Sequence, residues 1–312
     1  MAYRKSGSRT RCNSRFSSGT RSELLGGPRG LCHVYTRFDN LLQVVYTGPM
    51  GLAKIARLNR IFSHPDGRIL SLAVDHWAGR EHPQGLKNVP AILEQLAPAN
   101  PDAVTMNKGM ARGLWAPYAG RIPLIVQSHF FPPEDAELKR TTQPEEALLL
   151  GADAVAVSLG VRGKTEDQHL AMLAAMVTDA APWDIPVVAH IYPRNFYSDD
   201  AEVMVDHEHI QWAVRCGAEC GADVIKVPFT GDPDGFREIV EACPVPVVCA
   251  GGPKTKTFDE SVEMMRKIVA SGARGGVVGR NIWGAEDPLA ALRAFQEIVH
   301  PLLKGHDRTS TS

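Results

Sequence analysis

A lysine inside an apolar strand is the first residue of this sequence with chemistry in it. Residues 221–232 read Gly-Ala-Asp-Val-Ile-Lys-Val-Pro-Phe-Thr-Gly-Asp, a Val/Ile-rich run that ends in a turn marked by Pro228, Gly231 and Asp232. Side chains alternate across a strand, so Val224, Lys226 and Pro228 share one face, and Asp223, Ile225 and Val227 share the other. Apolar neighbours on both faces point to a strand covered on both sides, as in a parallel sheet. An ammonium there sheds its hydration at a cost, and a neutral amine is a nucleophile toward carbonyl carbon. The chemistry on offer is Schiff-base formation. The competing reading is a lysine paired with a core carboxylate, or one that reaches out at the strand end. Lys226 taken alone favours that plainer reading.

Other reactive residues recur where apolar, β-rich runs stop. These are Asp75-His76, Asn107-Lys108, Gln127-Ser128-His129, His190-Ile191-Tyr192-Pro193-Arg194, Gly251-Gly252-Pro253-Lys254 and Gly279-Arg280-Asn281. Tyr192 has the strand parity of His190, so both can face one side, and a tyrosine there can pass a proton during carbon–carbon bond chemistry. It can equally be an aromatic plug. Asp75 can shuttle protons for a carbinolamine or balance the charge of Lys226; otherwise it caps the next helix. Three histidines at such ends, His76, His129 and His190, raise a rival: a metal-dependent enzyme with three imidazole ligands. No H-x-x-x-H helix accompanies them, and spacing along the chain does not test the idea.

The elements that must position these residues follow a regular alternation. Strand-like runs occupy 68–76, 102–107, 122–129, 154–160, 185–193, 222–229, 245–252 and 275–282. Helical periodicity fills 144–150, 165–180, 207–220, 234–241 and 258–271, and a last helix spans 288–300. Gly-Ala-Asp precedes the fourth and sixth strands and Gly-Ala-Arg the eighth, marking helix ends that feed strands. Eight strand–helix units predict a single-domain (β/α)8 barrel of the α/β class. A doubly wound sheet would place a glycine-rich phosphate turn after its first strand, and Asp75-His76-Trp77-Ala78-Gly79 is not one. In a barrel the site lies where strands end, and the turns after strands 7 and 8 commonly hold phosphate. Gly251, Gly252 and Gly279 expose backbone N–H groups there, with Arg280 as a charged clamp. A phosphorylated substrate is the better reading of the two glycine turns together.

Composition narrows the partners. Of 312 residues, 44% are hydrophobic and 22% charged, the balance of a globular protein. Residues 1–49 hold eight Lys/Arg against Glu23 and Asp39, while the rest of the chain carries a local charge of −7. The acidic body argues against nucleic acid, and no apolar run reaches the roughly 20 residues of a membrane span. Segment 1–49 reads as a disordered basic extension, resembling a transit peptide in composition, or as residues upstream of a true start at Met50. The barrel then covers 50–304, and 305–312 form a disordered tail. Six cysteines without C-x-x-C spacing point to a reducing cytoplasm, and Cys216 and Cys220 read as helix-to-barrel packing.

The motifs resemble those of archaeal-type class I fructose-bisphosphate aldolases, within the wider group of Schiff-base barrels that includes deoxyribose-phosphate aldolase-like and autoinducer-2 thiolase-like members. The likeness is carried by Asp75-His76, Tyr192-Pro193-Arg194, Ile225-Lys226 through Asp232, Ala250-Gly251-Gly252-Pro253-Lys254-Thr255-Lys256-Thr257 and Val278-Gly279-Arg280-Asn281-Ile282-Trp283, and it spans roughly residues 52–300. It implies that Lys226 forms the Schiff base, that Tyr192 donates and accepts the proton and that Asp75 assists. Gly251, Gly252, Gly279 and Arg280 then hold a phosphate, with His76 and Lys108 as further substrate contacts. It also implies cleavage or formation of a C–C bond in a phosphorylated ketose or oxo compound, no cofactor beyond the covalent lysine, no metal, and a homo-oligomer.

The chain departs from that pattern at Trp77, where relatives have glycine, and at Asn107-Lys108-Gly109 after the second strand. It departs again at Ser128-His129-Phe130-Phe131-Pro132-Pro133 after the third. These positions line the side that receives the aldehyde. Alternatives are a synthase of the aromatic pathway or an acyl-transferring thiolase on the same barrel, the three-histidine metal enzyme, and a non-catalytic sensor of sugar phosphates. Tyr192 argues against the thiolase.

Overall fold

The computed structural model describes residues 51–76, 83, 85–130, 136–195 and 202–301, with the backbone of 37–38 and 41–42. The chain divides into two units, 1–48 and 49–312. In the first, Arg37–Phe38 pairs antiparallel with Leu41–Leu42. The expectations for the basic extension and for the tail lie otherwise outside the described residues.

The second unit is a (β/α)8 barrel. Its strands are β1 (Ile69–Ala73), β2 (Ala103–Asn107), β3 (Leu124–Gln127), β4 (Ala154–Val161), β5 (Val187–Asn195), β6 (Val224–Val227), β7 (Val247–Ala250) and β8 (Gly275–Val278). Each pairs in parallel with its neighbours in sequence, and β8 returns to β1 through Gly275↔Ile69, so no edge remains. The outer helices are α1 (Leu52–Ile61), α2 (Val89–Leu96), α3 (Lys108–Leu114), α4 (Pro144–Leu149) and α5 (Glu166–Ala180). They continue with α6 (His207–Glu219), α7 (Pro233–Ala242), α8 (Phe258–Ala270), α9 (Arg280–Trp283) and α10 (Pro288–Val299). No described helix is long and apolar enough to cross a membrane.

Strand period 2 divides the barrel. Ile225, Val227, Ala189, Ile191, Val247 and Cys249 join one continuous core with the helices, at about 1.5–3 kcal/mol for each fully buried large aliphatic side chain. The opposite parity points inward. Cys216 follows the packing expectation: it is buried, and burial pushes its thiol up to about 12.

Five expected strands end early, and two of them show why. The run 275–282 stops at Val278 because Gly279 (φ −125°, ψ −82°) leaves the ladder and Arg280–Trp283 coils into α9. Trp283 then donates from Nε1 to Ala73 O at 3.0 Å, a contact that a continued strand would forbid. The run 122–129 stops at Gln127, and His129–Phe130 pairs instead with Lys139–Arg140.

The aspartates before strands do structural work at the floor of the barrel. Asp102 accepts from Leu70 N (2.6 Å), Asp153 from Leu124 N (3.2 Å) and Asp223 from Val187 N (2.8 Å), each binding the entry of a neighbouring strand. Helix α1 supplies counter-charges, with Lys54 Nζ 3.0 Å from Asp223 and Arg60 Nε 2.8 Å from Asp153. That satisfies carboxylates that burial would otherwise leave unpaired.

A second floor cluster ties the chain's end to its first strand. His300 Nδ1 lies 3.0 Å from Asp66 and Nε2 2.8 Å from Asp102. Burial disfavours the imidazolium, but hydrogen bonds to Asp102 and Asp66, and their charges, outweigh it and raise His300 to about 9. The folded value lies above the unfolded 6.5, so this stabilisation is complete below about pH 6.5 and is lost as pH rises through 9. Up to roughly 3 kcal/mol is at stake. Urea unfolding of the wild type should show this decline between pH 6.5 and 9, and His300→Gln should lack it. The difference between the two curves separates it from the buried cysteines, which cost stability only above their unfolded values.

Candidate active site

A cavity of about 360 Å³ opens at the C-terminal ends of the strands, lined by side chains of inward parity. Lys226 reaches it from β6 and is 5% exposed. In register beside it stands His190 of β5, and beside that Ser158 of β4. His190 Nδ1 lies 3.3 Å from Ser158 Oγ, while Nε2 has no hydrogen-bond partner among the described residues. Burial first, then the charges of Lys226 and His76, hold His190 well below the ordinary histidine range. It is therefore a neutral neighbour of the lysine.

Tyr192 follows two residues on, paired with Gly160, so it lines the cavity one layer nearer the mouth. Asp75 enters from the end of β1, with His76 Nδ1 3.5 Å from its carboxylate and Asn107 Nδ2 donating to its backbone carbonyl at 3.3 Å. His76 stands edge-on to the Trp283 ring at a centroid distance of 5.5 Å.

Across the mouth, Gly251, Gly252, Gly279 and Arg280 form the wall built by β7 and β8. Gly252 sits at φ +69°, where a Cβ is strained. At Gly279 a Cβ would lie 2.5 Å from His76 Cε1 and 2.8 Å from Ala73 O. Only glycine at 279 lets the β8 turn approach the end of β1. Asn281 joins the β7 and β8 turns: its Nδ2 donates to Gly251 O (2.8 Å) and Pro253 O (3.0 Å), and its Oδ1 accepts from Thr255 N (3.0 Å).

Of the expected site residues, Lys226, Tyr192, Asp75, His76, Gly251, Gly252, Gly279 and Arg280 all line this cavity. Lys108 does not. It opens α3, and its Nζ lies 3.0 Å from Glu146, turned from the cavity by that carboxylate; its neighbour Asn107 lines the wall instead. His76, His129 and His190 all line the cavity. Among the described residues, however, their nitrogens do not gather within 4.8 Å; the group that does is His64, Asp66 and His300 on the floor. His300 there already faces a carboxylate with each nitrogen.

Asn281 stands among the strand-end residues that the sequence marks but with no role of its own, and Ser158 is not among them. Ser158 carries a signal in retrospect: it is the one hydroxyl in the apolar run Ala154–Val161. Of the departures from the family pattern, Trp77 and 131–133 lie outside the described residues.

Residues 69–285 match the model of the DeoC/LacD family aldolases. The 2-amino-3,7-dideoxy-D-threo-hept-6-ulosonate synthase 1 of Archaeoglobus fulgidus is 32% identical over 252 residues, covering 80% of this chain and 92% of its own. The 2-amino-4,5-dihydroxy-6-oxo-7-(phosphonooxy)heptanoate synthase of Streptomyces griseus is 28% identical over 251 residues, covering 80% and 90%. Among solved structures, an archaeal fructose 1,6-bisphosphate aldolase is 32% identical, with a TM-score of 0.70 over 79% of this chain and 98% of its own. Another, with its catalytic lysine bound to the carbinolamine intermediate, is 30% identical, with a TM-score of 0.70 over 79% and 99%. A closed eight-stranded barrel with a buried lysine at its mouth, matched over most of its length by this family's model, makes the chain a member of the DeoC/LacD family of class I aldolases.

Proposed function

We propose that this enzyme cleaves or forms a C–C bond in a phosphorylated ketose whose keto half is that of fructose 1,6-bisphosphate, through a Schiff base on Lys226. The observation that carries the reading is the placement of Lys226: buried, inward-facing, beside a neutral imidazole, in a cavity walled by two glycine turns and Arg280.

Nζ adds in its free-amine form to the keto carbon, and the carbonyl electron pair moves to oxygen, giving a carbinolamine. Tyr192 donates its proton as the hydroxyl leaves as water, and an iminium remains. The iminium accepts the electrons of the adjacent C–C bond, while the Tyr192 phenolate takes the proton of the substrate hydroxyl. An enamine and an aldehyde result. Asp75 shuttles protons at the carbinolamine. Gly251, Gly252, Gly279 and Arg280 hold the phosphate, which fixes the keto carbon against the lysine.

The two relatives named as synthases support a second reading. The Streptomyces griseus name describes a compound whose keto group adjoins a phosphonooxy-bearing carbon, as in fructose 1,6-bisphosphate, but whose far end is an amino acid. Fructose 1,6-bisphosphate and the Streptomyces griseus compound share the keto phosphate half, whereas the 7-deoxy compound of the Archaeoglobus fulgidus name carries no phosphate on that carbon.

Borohydride reduction in the presence of dihydroxyacetone phosphate, and separately of fructose 1,6-bisphosphate, tests the common step. The expected result is a reduced adduct that peptide mapping places on Lys226. Absence of an adduct with these and other phosphorylated oxo compounds would remove the proposal.

A further inference from the structure

Resting on the aldolase reading above, we propose that Gln127 and His129 form a hydroxyl-recognition subsite for the aldehyde half of the substrate, a half that ends in hydroxyls rather than in phosphate. The hydrogen-bond network fixes which atoms are left to accept. Ser128 Oγ lies 2.7 Å from Ala156 O, and a carbonyl only accepts, so the single hydroxyl proton goes there. Ser128 Oγ also lies 2.9 Å from His129 Nδ1, and in that contact the oxygen can only accept. The imidazole proton is therefore on Nδ1, and Nε2 is a bare acceptor. Gln127 spends its amide in the same way: Nε2 donates to His129 O at 3.3 Å, leaving Oε1 as an acceptor.

Both acceptors are buried, at 4% exposure for Gln127 and 2% for His129, and both residues line the cavity. Neither His129 Nε2 nor Gln127 Oε1 has a partner among the described residues. Burial first, then the Arg140 guanidinium, lowers His129 to about 4, so the ring stays neutral at working pH. In the closed order of strands, β3 lies opposite β7, so this wall faces the phosphate turns across the cavity.

Two buried, unpartnered acceptors in the lining of one cavity call for donors on the ligand. A phosphate or carboxylate brings only acceptors and meets their lone pairs head-on. An ammonium brings donors, but also a charge that the nearby Arg140 and the cavity-lining Arg194 oppose. Neutral hydroxyls bring donors without a charge. The competing arrangement is a distal phosphate drawn to Arg194.

The test is aldol synthesis from dihydroxyacetone phosphate and four aldehydes: glyceraldehyde, glyceraldehyde 3-phosphate, propanal and 3-aminopropanal. The wild type should prefer glyceraldehyde over propanal by roughly 10–100-fold in kcat/KM, the scale of two hydrogen bonds, and over the 3-phosphate and the amine as well. His129→Phe keeps the ring and removes the acceptor, and should bring the glyceraldehyde-to-propanal ratio to within about threefold; Gln127→Met does the same at the other acceptor should the first variant fail to fold. Preference for the 3-phosphate or for the amine, or a ratio unmoved in both variants, overturns the subsite. Absence of any borohydride adduct on Lys226 is a different failure: it removes the aldolase reading, and the subsite with it.

Discussion

Lys226→Met should abolish turnover and borohydride trapping together. Methionine matches the length and apolar stem of lysine, and the site is buried on an inward strand face, so the barrel has no reason to distort. What disappears is the only group proposed to bond the keto carbon. Without the iminium the C–C bond must break toward an enolate, because the neutral carbonyl is a weaker electron sink than the iminium. The expected fall in kcat/KM is about 10⁴-fold or more, the scale seen when a covalent nucleophile is removed. Melting should stay level or rise, because a buried amine has been replaced by an apolar group. Paired measurement of mass after borohydride treatment and of steady-state rates checks this. Full activity in the variant would end the Schiff-base mechanism.

Tyr192→Phe should separate the two halves of the reaction. The phenol is proposed to protonate the departing hydroxyl and then to accept the substrate hydroxyl proton, one layer nearer the mouth than Lys226. Phenylalanine keeps the ring and loses the proton. Turnover should fall roughly 10²–10⁴-fold, the usual weight of a positioned acid–base group. The amine remains, so adducts on Lys226 should still be trapped, more slowly. Rapid-quench trapping against steady-state rates shows whether addition outlives cleavage. Equal loss of both would assign Tyr192 to packing instead.

Much of this architecture was legible in the chain because barrels repeat a local rule. Each strand is a short apolar run of period 2, each helix carries period 3.6, and polar residues collect where strands stop. That placed Lys226, Tyr192, Asp75 and the glycine turns at one mouth. Lys108 misled, because a charged residue at a strand end need not face inward; here the chain turns into α3 and Glu146 takes the amine. The eighth strand is shorter than its residue types suggest, because Val, Ile and Trp suit strand and helix alike; the turn at Gly279 and the contact of Trp283 with Ala73 O, 210 residues away, go with the helix.

The sequence by itself determined the number of strands, their parity and the residue types at their ends, since these depend on neighbours along the chain. Tertiary structure decided everything that depends on register. It set Ser158, His190 and Lys226 side by side on three strands, and pinned Gly251 to Asn281. It also put the proton of His129 on Nδ1, because Ser128 reaches the carbonyl of Ala156 in the next strand. Hydrogen-bond partners 28 to 32 residues apart leave no periodic trace in the chain, so their chemistry appears only once the barrel closes.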